Sequence, residues 1–184
     1  MTEKITDPEQ QTHLTVDDLI KMVAGFTPTV DDITPCLAFE LDDSLAGELL
    51  DVAGVFAGVK PAAMIALGWG GQTDLLLSAF RERAVVDGIT VLETPNNSGT
   101  SLVFSRDPEV AARIKSLMTD FLVQNKADEQ YDTEIGTLLG YPKEAVKRYV
   151  QNKIDRGDYD LVRWYQTPAG QDFLRRYVNK KEGV

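Results

Sequence analysis

Hydrophobic residues recur at helical spacing in several segments of the chain and form short β-branched runs in others. We expect helices from Thr15 to about Gly25, from Asp107 to Phe121 and from Pro142 to Arg156. The runs at 89–94 and 100–105 flank the segment Pro-Asn-Asn-Ser-Gly, which predicts an antiparallel hairpin with a longer loop. The pattern thus mixes helices with a small sheet.

Three further segments have helical patterns. One opens at Asp42-Asp43-Ser44 and closes at Gly58, a second is capped by Thr73 and runs to about Val86, and a third covers Glu134–Leu139. Residues 62–67 are apolar throughout, and a run this short does not distinguish a buried strand from a helix.

We therefore predict an α+β fold, a helix-rich domain around a small antiparallel sheet with a helical C-terminal subdomain. The predicted divisions are a disordered N-terminus at 1–13, an α+β core at 14–128 and the helical subdomain at 129–184. The last division rests on composition, because all six tyrosines lie in the last third of the chain. Charge supports it: residues 1–60 hold 12 acidic and 3 basic side chains, and residues 143–184 hold 6 and 10.

The sequence Leu-Gly-Tyr-Pro at 139–142 predicts a sharp corner between two helices, since glycine closes a helix and proline suits the start of the next. Residues 134–142 resemble uncharacterised prokaryotic families in which a helix ending in LGYP is followed by a second helix. In one such group a cysteine pair follows the motif, whereas Lys143, Glu144 and Ala145 follow here. The resemblance implies a helix-turn-helix-like segment and no activity.

The sequence contains few of the residue combinations that enzymes commonly use for catalysis. His13 is its only histidine, which excludes Ser-His and Cys-His pairs and His/Cys zinc sites. The Asp pairs at 17–18, 31–32 and 42–43 have the oxygen ligands that Mg²⁺ prefers, but two of the pairs stand where helices begin, and capping explains them better. We interpret Cys36, the single cysteine, as a small buried hydrophobic residue. We expect no catalytic residue, no cofactor and no metal.

The segment Gly-Trp-Gly-Gly-Gln-Thr-Asp at 68–74 is the candidate ligand site. It leads into a helix N-terminus, where backbone N–H groups bind anions. It also carries Trp69, whose indole can stack on the ring of a ligand. It lacks both the dinucleotide-binding and the P-loop spacing, so a tight turn is the competing interpretation. The candidate residues are Trp69, Gly70, Gly71, Thr73 and Asp74.

The tail supplies the candidate partner-binding residues, which are Tyr141, Lys147, Arg148, Arg163, Trp164 and Tyr165. The first functional hypothesis is a cytoplasmic, non-catalytic binding or regulatory protein that uses this surface to bind a protein partner or itself. The alternative is a small-ligand-binding domain or enzyme with its pocket at Gly68–Thr73. Nucleic-acid binding through the C-terminal helices is a third hypothesis, disfavoured by the net charge of −10. We predict no membrane span.

Overall fold

The computed structural model describes residues 14–25, 47–96, 99–124, 128–159 and 168. Within these residues the fold is α+β, as predicted, with six helices and three strands. In chain order these are α1 Val16–Val23, α2 Glu48–Ala57, β1 Ala62–Ala66, α3 Gly71–Asp87, β2 Thr90–Asn96, β3 Gly99–Ser105, α4 Pro108–Gln124, α5 Glu129–Leu138 and α6 Lys143–Asp155.

The strands form an antiparallel sheet in the order β1-β3-β2. The predicted hairpin is confirmed, but its strands extend further than expected: Asn96 pairs with Gly99, so the predicted longer loop is wrong. Residues 62–66 are the strand β1, which pairs with β3. β3 is therefore the central strand, and its residues Ser101–Ser105 are all buried.

Alternate residues of the strands supply two hydrophobic cores, one on each face of the sheet. Ala63, Ile65 and Phe104 pack with α1, α2 and α3. Ala62 and Val103 point the other way and pack with α4 and α5. The sheet is thus the middle layer between two groups of helices, as the period of two in a strand requires.

Two helices, α1 and α4, start where the sequence predicts. Thr15 forms a capping box with Asp18, and Asp107 accepts a hydrogen bond of 2.8 Å from the backbone N–H of Glu109 ahead of α4. The predicted start of α5 at Glu134 is wrong, because Asp128 accepts a 2.7 Å bond from the N–H of Tyr131 and starts the helix at Glu129. The predicted start of α2, at 42–44, lies outside the described residues.

The predicted corner between α5 and α6 is confirmed. Gly140 has φ of +80°, and the Tyr141 N–H donates to the Gly136 carbonyl at 3.1 Å, as in a Schellman motif. Pro142 follows as the N-cap of α6. Because Ile135 and Leu138 of α5 and the C-cap residue Leu139 belong to the second core, the corner lies against the sheet layer. The predicted boundary at residue 128 stays a prediction.

Candidate functional site

The candidate ligand-site residues around the start of α3 differ in exposure. The Trp69 side chain is 52% exposed, whereas Thr73 is fully buried. α3 begins at Gly71 with Gly70 as its N-cap, so the prediction that Thr73 caps the helix is wrong. Gly70 has a positive φ of 79°, a conformation that glycine adopts without strain.

Asp74 places a carboxylate in the first turn of α3. Its Oδ2 accepts a 2.9 Å hydrogen bond from the N–H of Gly70, the N-cap of the helix. A carboxylate at this position interacts favourably with the helix dipole and repels a phosphate. A recess of about 230 Å³ lies beside the loop, lined by Leu67, Gly68, Asp74, Leu77, Ser78 and Arg81. Arg81 itself lies 3.3 Å from Glu93, which partly neutralises it.

The predicted partner-binding residue Tyr141 is engaged inside the molecule. It is half-buried, and its hydroxyl donates to Asp51 Oδ2 at 3.0 Å. Lys60 Nζ lies 2.8 Å from the same oxygen and 4.3 Å from the centre of the Tyr141 ring. The Asp51 and Lys60 side chains are only 6% and 2% exposed. These three residues join α2, the start of β1 and the α5–α6 corner.

The other predicted partner-binding residues are spread over different environments. Lys147 is exposed on α6, 3.7 Å from Glu144, and Arg148 is half-buried. Arg163, Trp164 and Tyr165 lie outside the described residues. Three of the six predicted residues are thus described, and their joint role as a binding surface stays a prediction.

A polar cluster that the sequence did not predict joins α5 to α6 and the residues after it. Asp132 Oδ2 accepts hydrogen bonds from Lys153 Nζ at 2.7 Å and from the Tyr159 hydroxyl at 2.6 Å. Beside the cluster is a mostly apolar cavity of about 230 Å³ between the two helices, lined in part by Ile135, Val146 and Tyr149. Asp132 lies at its edge with its charge already matched by Lys153.

The pKa values in this cluster do not suit acid–base or nucleophilic catalysis near neutral pH. Burial is the largest single influence on Lys153 and opposes its charge, but the hydrogen bonds and charge interactions with Asp132 and Tyr149 together outweigh burial and raise the pKa of its ammonium. Burial, and then the hydrogen bond to Asp132, raises the pKa of Tyr159. Burial, and then the Asp132 charge, raises the pKa of Tyr131 to about 12. A catalytic lysine or tyrosine needs the opposite shift, so we interpret the cluster as structural.

The side of α3 that faces away from the core carries large apolar side chains beside polar ones, whereas the outer side of a helix at a domain surface is usually polar. Leu76, Phe80 and Ala84 face the core, whereas Leu75 is 73% exposed and Val86 is 80% exposed. We call the residues opposite the core the outer face of α3; they are Leu75, Ser78, Ala79, Glu82, Val85 and Val86. Among the residues that the structure describes, seven large hydrophobic side chains are exposed, and five of them lie on this face or in the loop before it.

A shallow groove of about 530 Å³ runs along one side of the outer face. It lies between the start of α1 and α3, with Val16 on one wall and Ala79 and Val86 on the other. The recess at Ser78 and Arg81 lies on the opposite side. The outer face is thus a ridge between two depressions. The sequence carries a signal for this face, because large apolar residues stand on both sides of one helix.

Within the described residues, no group of three or more His, Cys, Asp or Glu side chains is arranged to hold a metal ion. No helix in the same part of the chain combines the length and the apolar character needed to cross a membrane. Comparisons with protein-family models, with curated proteins and with solved structures found no match.

Proposed function

We propose that this protein is a non-catalytic protein-interaction domain and that the outer face of α3 is its binding surface. The observation that carries the proposal is the exposure of Leu75, Val85 and Val86 on a helix whose opposite side already fills a core. α3 is therefore not a simple amphipathic helix, which would place only polar side chains on the side opposite its core residues. Contiguous exposed apolar patches on a domain mark interaction sites.

The size of the surface supports this proposal. α3 has 17 residues and is therefore about 25 Å long. Leu75, Val85 and Val86 are 73%, 84% and 80% exposed, and burying each of them contributes about 1.5–3 kcal/mol. Trp69, in the loop that leads into α3, adds an aromatic side chain of the kind that dominates interface energies. Together with the groove beside α1, this area suits a protein better than a small molecule.

The site chemistry favours binding over catalysis. The raised pKa values of Lys153, Tyr131 and Tyr159 keep these groups protonated. The Asp74 carboxylate in the first turn of α3 disfavours the anionic ligand of the small-ligand hypothesis. Because Tyr141 is bound to Asp51, we place the interface on α3 and not on the tail. The roles predicted for Arg163, Trp164 and Tyr165, nucleic-acid binding and the cytoplasmic location stay predictions.

Photo-crosslinking tests whether a partner binds this surface and not another part of the molecule. Benzoylphenylalanine is placed at Ser78 on the outer face of α3 or, as the control, at Ser116 on the exposed side of α4. Irradiation of cells that contain the full chain is expected to give a discrete crosslinked product from position 78 and none from position 116. Equal labelling from both positions, or no product from position 78, would contradict the proposed function.

A further inference from the structure

We draw no further inference here: the strongest candidate, the mostly apolar cavity between α5 and α6 with Asp132 at its edge, carries nothing, because Tyr159, which is bonded to Asp132, is directly followed by residues outside the described part of the chain and nothing in the structure shows what covers the cavity.

Discussion

At the scale of single residues, Gly140 combines a backbone constraint with a steric one. Its φ is +80°, and a Cβ on it would lie 2.3 Å from Pro61 Cδ. Gly140→Ala is therefore expected to reduce the free energy of unfolding by about 3–5 kcal/mol, measured by urea denaturation. Gly58→Ala is the matched control, because Gly58 also ends a helix with φ of +76° but has open space around its Cβ position. Its expected cost is about 1–2 kcal/mol, and equal costs would contradict the packing of Gly140 on Pro61.

Tyr141 offers a second test at this scale. Tyr141→Phe removes the hydroxyl that donates to the buried Asp51 carboxylate and is expected to cost about 1.5–3 kcal/mol of unfolding free energy. Tyr131→Phe is the control, because that hydroxyl is bonded to the sulfur of Met118, a weak acceptor, and its loss is expected to cost less than about 1 kcal/mol. If the two substitutions cost the same, the bond between Tyr141 and Asp51 does not contribute as described.

At the scale of elements, the contacts of α5 and α6 predict a loss of stability in alkali. The raised pKa values of Lys153, Tyr131 and Tyr159 mean that the folded chain holds protons which the unfolded chain releases from about pH 10. The stabilisation is complete below pH 10 and is lost as pH rises through the folded values, about 12 for Tyr131. Each group contributes a slope of at most about 1.4 kcal/mol per pH unit.

Urea midpoints between pH 9 and pH 11.5 measure this slope. Tyr159→Phe removes one of the three groups, so its decline with pH is expected to be shallower than that of the original chain, whatever its stability at pH 7. An unchanged slope would show that the Tyr159 hydroxyl does not titrate differently in the folded protein.

The elements also show how far the sequence alone could lead. The hairpin and the corner at Gly140 were predictable because their signals are local turn residues. Strand β1 was ambiguous because Ala62 and Ala63 are buried on opposite faces of the sheet, which removes the alternation of a half-buried strand. Asp132 and Lys153 meet only after the corner folds, since 21 residues separate them. A local pattern shows that Leu75 and Val86 are apolar, but it does not show that they are left uncovered.

At the scale of the whole molecule, salt gives a test that separates the hypotheses. A partner bound by the apolar side chains of the outer face of α3 is held mainly by contacts that salt does not screen. The yield of crosslinked product from position 78 is therefore expected not to fall when NaCl in a cell lysate is raised from 0.05 to 0.5 M. Nucleic-acid binding through the C-terminal helices predicts instead an affinity for nucleic acid that falls steeply with salt. A product that disappears with salt would show that charge, and not the apolar side chains, holds the partner.

The most direct test of the proposed function is hydroxyl-radical footprinting of the full chain in cells and as the purified protein. Labelling of Leu75, Val85 and Val86 is expected to be lower in cells, where the partner is present, than in the purified protein. Labelling of Ile154, an exposed aliphatic residue on α6, is expected to be the same in both samples relative to the rest of the chain. Labelling of Leu75, Val85 and Val86 that is equal in both samples would contradict the proposed function.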